Sequence, residues 1–89
     1  MASYRIEWKQ SAQKELRHLQ KDILARVFQA VTALSHEPMP TGARKLSGAE
    51  RLYRLRIGDY RIIHFVHGAE RVIEIVRVRH RRDVYRNLS

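Results

Sequence analysis

Eighty-nine residues without a cysteine make one domain spanning residues 1–89, leaving no room for a second core, a disulfide or a thiolate metal site. Eighteen Lys and Arg stand against nine Asp and Glu. The start "MASYRIEWKQ" lacks a basic-then-apolar leader pattern, and no apolar run is long enough to span a bilayer, so a soluble cytoplasmic protein without membrane contact is expected.

The charge is uneven along the chain. Residues 1–43 carry six basic and four acidic side chains, residues 44–89 twelve and five, and eleven of those twelve are Arg. Guanidinium groups fork onto phosphate with paired hydrogen bonds. A basic half-domain of this kind points to a polyanion, nucleic acid first and an acidic protein segment second.

Tyr4, Ile6 and Trp8 alternate with Arg5 and Glu7, the pattern of a short half-buried strand. Ser11 is expected to cap the helix that follows. Leu16, Leu19, Ile23, Val27, Val31 and Leu34 then recur every three or four residues. One helix from Ser11 to Ser35 would be about 37 Å long, against a radius of gyration of roughly 12 Å for a domain of this size. A break near Lys21-Asp22 is therefore expected, with Asp22 capping a second helix. His36–Glu50 holds Pro38, Pro40, Gly42 and Gly48 and reads as a connector.

Three strands should follow, over Arg51–Ile57, Tyr60–Val66 and Arg71–Arg79, with turns at Gly58-Asp59 and His67–Glu70. Tyr60–Val66 is nearly all apolar and should be central. The tail "HRRDVYRNLS" reads as a short terminal helix or irregular cap. The order predicts an α+β domain: an N-terminal strand, a two-helix hairpin and a three-stranded antiparallel meander, with both helices on one face of the sheet.

The other face is left for the arginines, together with Ile63 and Phe65. Arg54 and Arg56 are two apart and share a face. A two-residue turn pairs Arg56 with Arg61, their Cβ atoms about 5 Å apart. Directly opposed like charges destabilise a sheet, and an anion between them relieves the repulsion. The expectation is a phosphate clamp.

Arg79, His80, Arg81, Arg82 and Tyr85 add donors and two candidate general bases. A phenol among guanidinium groups has its phenolate favoured and can take the proton of a ribose 2′-hydroxyl; His80 can do the same. Arginine does not lose its proton and serves to hold the phosphate and stabilise developing charge. His18, His36, His64, His67 and His80 form no metal-ligand pattern, no phosphate-cradling Gly-rich loop or nucleophile elbow is present, and no cofactor is expected. Trp8, Tyr53, Tyr60 and His64 read as packing residues, and Arg77 as a partner of Glu74 or the tail.

The size, the strand–helix–helix–meander order, the hairpin "LYRLRIGDYRIIHF" and the ending "RRDVYR" together resemble RelE toxins of the RelE/ParE toxin–antitoxin superfamily. That resemblance implies a ribosome-dependent endoribonuclease that cuts mRNA in the A site without a metal. The 70S ribosome and mRNA would be its partners. A cognate antitoxin, RelB-like, acidic and partly disordered, would bind it in a hetero-oligomer. The resemblance assigns catalytic roles to Arg54, Arg56, Arg61, Arg81 and Tyr85. Arg79, His80 and Arg82 would contact RNA, and Arg79 competes with Arg81 for the tail arginine's role. The family usually has lysine where Arg54 and Arg56 stand, and this departure moves the base role to Tyr85 or His80. The ParE branch, which shares the fold and poisons DNA gyrase without cutting RNA, is the alternative.

Overall fold

Strand β1 (Arg5–Trp8) lies parallel to β5 (Val72–His80), with Ile6 opposite Ile73 and Trp8 opposite Ile75. Residues 3–39, 43–45 and 51–80 are described by the computed structural model, the side chains of Arg44 and Lys45 excepted. Helices α1 (Gln10–Leu16) and α2 (Lys21–Leu34) follow β1. Strands β2 (Arg44–Lys45), β3 (Leu52–Ile57) and β4 (Tyr60–His67) precede β5. The sheet order is β1-β5-β4-β3-β2, so the apolar β4 is central, and β3, β4 and β5 form the antiparallel meander. This is the α+β arrangement expected from the sequence. The parallel β1–β5 pairing and the short β2, which pairs with β3 from within the expected connector, were not anticipated.

The core lies between the helices and one face of the sheet. Val27, Val31 and Leu34 of α2 recur at spacings of four and three and pack with Ile57, Ile62, Val66, Ile73, Ile75 and Val78. Each fully buried aliphatic side chain contributes about 1.5–3 kcal/mol. The helical stripe is interrupted between Leu16 and Lys21, close to the expected break, and the Cα radius of gyration is 12.4 Å. Among the described residues no helix is long and apolar enough to cross a membrane.

Both expected caps are corrected. The helices start at Gln10 and Lys21, and their caps Lys9 and Gln20 make no side-chain capping bond. Ser11 is inside α1, and its hydroxyl donates to the Val76 carbonyl at 2.8 Å. Asp22 lies in the first turn of α2, where the helix dipole favours a negative charge. The Gly58-Asp59 turn forms as expected and pairs Ile57 with Tyr60. Gly58 has φ +58°, and a Cβ there would meet the Arg26 guanidinium at 3.4 Å.

β1 stops opposite Ile75, while β5 continues to His80. An uncovered edge is an invitation to aberrant pairing, and here α1 covers it in place of a strand. Lys9 N donates to Ile75 O at 2.9 Å, Ser11 Oγ to Val76 O at 2.8 Å, and Val78 N to Glu15 Oε1 at 2.8 Å. Ser11 and Glu15 are four apart and share one face of the helix.

His64 is fully buried in this core, stacked near Tyr53 with ring centroids 5.7 Å apart. Its Nε2 lies 3.0 Å from Pro38 O, and its Nδ1 is buried without a partner. A neutral ring that donates from Nε2 to the Pro38 carbonyl satisfies this geometry. Burial lowers its pKa from the ordinary 6.5, while the bond to Pro38 pulls the other way.

Two predictions follow from the buried polar groups. Glu15→Ala leaves the Val78 N–H without its acceptor and should lose about 1.5–3 kcal/mol in urea unfolding; Glu15→Gln keeps an oxygen there and should lose less than half of that. Equal losses would show that the charge of Glu15, not its edge bond, carries the effect. His64 has a depressed pKa in the fold, so the unfolded chain takes up this proton first on acidification. Its contribution is complete above pH 6.5 and declines as the pH falls through the folded pKa. His64→Met should therefore remove part of the stability loss between about pH 7.5 and about pH 5.5; identical losses in the two proteins would contradict this.

Candidate nucleic-acid interface

Alternation along β3 and β4 sends Tyr53, Leu55, Ile57, Ile62, His64 and Val66 toward the helices. Arg54, Arg56, Arg61, Ile63 and Phe65 take the opposite face. Arg56 is directly opposite Arg61, as the two-residue turn requires, and Arg61 is directly opposite Arg79 on β5. Arg54, Ile63 and Arg77 form the next row. Five arginines from three strands thus converge at the hairpin end of one face.

Arg77 and Arg79 reach this face through a register shift. His64 pairs with Ile75, yet Ile63 pairs with Arg77, leaving Val76 as an extra residue in β5. A bulge of this kind reverses which side the following residues take. With strict alternation after Ile75, Val78 would face outward and Arg77 and Arg79 would face the core. With the bulge, Val78 is buried at 2% exposure and the two arginines join the others.

Glu15 lies at the edge of this cluster. Its Oε2 is 2.8 Å from Arg79 Nε and 3.6 Å from Arg77 Nη1, while its Oε1 holds the Val78 amide. The Arg79 contact is an ion pair without hydrogen-bond alignment at Nε. Arg56 Nε donates to Gly58 O at 3.1 Å, drawing that side chain along the turn. Away from the arginines the same face changes character. Phe65 and His67 rings lie 4.5 Å apart, His67 faces Glu74 at 3.3 Å, and Arg5 pairs with Glu7 at 3.0 Å.

The structure brings Arg54, Arg56, Arg61 and Arg79 together. His80, the other candidate base, alternates to the helix side. It lies edge-on to Tyr60 at 5.1 Å and lines a cleft with His18, Leu19 and Val78. Arg81, Arg82 and Tyr85 fall outside the described residues. Glu15 and Arg77 were missed by sequence reasoning. The i, i+4 spacing of Ser11 and Glu15 and the i, i+2 spacing of Arg77 and Arg79 were visible, but the bulge that links them was not. Among the described residues no group of three or more His, Asp and Glu could hold a metal ion. The arrangement offers a row of fixed hydrogen-bond donors suited to the oxygens of a phosphodiester.

The profile of the ParE toxin family, described as toxins of type II toxin–antitoxin systems, matches residues 6–85. Toxin RelG of Mycobacterium tuberculosis is 33% identical over 93% of this chain and 97% of its own length. The RelE–RelB complex of Pyrococcus horikoshii contains a chain that superposes with a TM-score of 0.80 at 33% identity, covering 89% of this chain and 96% of that one. The RelBE2 toxin–antitoxin complex of M. tuberculosis gives 0.78 at 28% identity, covering 89% and 99%. With the fold, the size and the family profile in agreement, this chain belongs to the RelE/ParE superfamily of type II toxin–antitoxin systems, as a RelE-type toxin.

Proposed function

We propose that this toxin is an endoribonuclease that cuts mRNA in the ribosomal A site and so stops translation. The observation that carries the reading is the row Arg56–Arg61–Arg79, donated by three adjacent strands to one face. Guanidinium groups fixed before the reaction stabilise the charge that develops on the phosphoryl oxygens. Arg54 extends the row along β3, and Arg81 and Arg82 supply further cations from the tail.

The chemistry needs no imported nucleophile. A general base takes the proton of the ribose 2′-hydroxyl, and the 2′-oxygen forms a bond to the adjacent phosphorus. The bond from phosphorus to the 5′-oxygen of the next nucleotide breaks, and that oxygen receives a proton. The products are a 2′,3′-cyclic phosphate and a 5′-hydroxyl. Tyr85 is the base in this reading: arginine holds its proton, and His80 is on the helix side with Tyr60.

The relatives were solved as complexes with RelB antitoxins, which supports a cognate antitoxin for this chain. Such a partner is partly disordered before binding and presents carboxylates to the arginine face. The net charge of +9 favours both an acidic antitoxin and ribosomal RNA. The second reading is gyrase inhibition, favoured by the match to the ParE family profile.

The two readings separate in one assay. Inducing the chain in a bacterial translation system and mapping mRNA 5′ ends should reveal new ends within translated codons, with cyclic phosphate on the upstream fragments. Intact mRNA with trapped gyrase–DNA cleavage complexes would select the second reading. In single-turnover cleavage on programmed ribosomes, Arg61→Ala should slow the reaction about 10²–10³-fold. Tyr85→Phe should slow it about 10²–10⁴-fold. A wild-type rate in Arg61→Ala would remove the clamp, and one in Tyr85→Phe would return the base role to His80.

A further inference from the structure

The arginine row does not end at β5. Arg79 and Arg77 also line a cleft of about 540 Å³ between α1 and the β5 edge, together with Lys14 of α1 and His18 in the turn that follows it. Among the described residues that line it, Glu15, largely buried, is the single carboxylate. Its two oxygens are engaged by the Val78 amide and by Arg79 and Arg77. Among the described residues, one committed carboxylate against the three permanent cations Lys14, Arg77 and Arg79 leaves the lining positive.

The geometry points to a second phosphate site in this cleft, where Lys14, His18 and Arg77 hold a backbone phosphate of the transcript next to the scissile one. This inference rests on the reading of the chain as an RNA-cutting toxin and adds the path that the RNA takes. Neighbouring strands are about 4.8 Å apart, so the row Arg56–Arg61–Arg79 spans about 10 Å across the sheet. An RNA strand laid along that row runs across the β-strands, not along them, and leaves the sheet at Arg79. There it meets the cleft instead of bulk solvent. Along the strands the same face leads instead over Ile63 and Phe65 to a region without an excess of cations, where Glu7 is paired with Arg5 and Glu74 faces His67.

Glu15 gives the path a graded entry. It neutralises part of Arg77 and Arg79 in the empty protein and is displaced in part when a phosphate takes its place. Each added phosphate contact on a single strand contributes about 0.7 to the salt dependence of binding.

The test uses the full-length toxin and two fully 2′-O-methylated RNA oligonucleotides, of about four and about nine nucleotides, which fill one site or both. Lys14 is exposed on a helix, so Lys14→Glu should fold normally, which circular dichroism checks. It should weaken the longer oligonucleotide about fivefold or more, the scale of lost exposed ion pairs with added repulsion. It should also lower the salt slope by about 0.7 and leave the shorter oligonucleotide unaffected. Arg61→Ala should weaken both. Equal weakening of both lengths by Lys14→Glu, or of neither, overturns the second site. Weakening of an acidic antitoxin peptide without any change for RNA overturns it as well and gives the cleft to the protein partner. If the wild-type chain binds and cuts RNA while Lys14→Glu shows no length dependence, only the path fails. If the wild-type chain binds neither oligonucleotide, the second site is overturned, whereas the nuclease reading stands or falls on the new mRNA 5′ ends in the translation system.

Discussion

The extra residue Val76 in β5 is the constraint on which the basic face depends. Ahead of it, Ile73 and Ile75 are buried with the helices; beyond it, Val78 is buried while Arg77 and Arg79 turn outward. The alternative register would bury two guanidinium groups in an apolar layer, at a cost of several kcal/mol for each uncompensated charge. Burial of Val78 and exclusion of the arginines therefore favour the same bulge. Helix α1 holds that bulge from the side. Ser11 takes the Val76 carbonyl, and Glu15, one turn later, takes the Val78 amide. A seven-residue helix thus does what an edge strand would do, and its side chains set the direction of two arginines.

The resulting surface is not arranged for stability. Arg56 and Arg61, and Arg61 and Arg79, are opposed across neighbouring strands, an arrangement that destabilises a sheet. Glu15 offsets the repulsion at one end, and the Gly58 carbonyl draws Arg56 aside at the other. In the proposed function an anion laid across the row would offset this repulsion further. The charge is also confined. Ile63 and Phe65 follow the arginines on the same face, and the carboxylates of Glu74 and Glu7 lie beyond them. The arginines are thus grouped at the hairpin end of this face.

Much of this was legible in the chain. The helical stripe ending in Val27, Val31 and Leu34, the two-residue turn at Gly58-Asp59 and the apolar run of β4 each carry a period or a turn signal that local physics enforces. The pairing of Arg56 with Arg61 followed from turn length alone. What was not legible depended on contacts between distant segments. The bulge leaves no composition signal, since "IEIVRVRH" reads equally well as an unbroken strand, and so the row was seen with two members instead of three. The parallel docking of β1 on β5 and the role of Glu15 are tertiary choices. Ser11 looked like a cap because its type favours that position, but the β5 carbonyl competes for its hydroxyl and wins. His80 looked equivalent to its arginine neighbours in sequence, and alternation then placed it on the other side.

The most direct test of this account observes the guanidinium groups themselves. Nε–Hε resonances of Arg56, Arg61 and Arg79 can be followed by NMR during titration with a short 2′-O-methylated RNA, assigned through single arginine-to-lysine variants. The account predicts that all three move along one binding curve, Arg79 exchanging its Glu15 environment for phosphate. An Arg79 signal that stays at its free position while Arg56 and Arg61 shift would contradict the three-strand row.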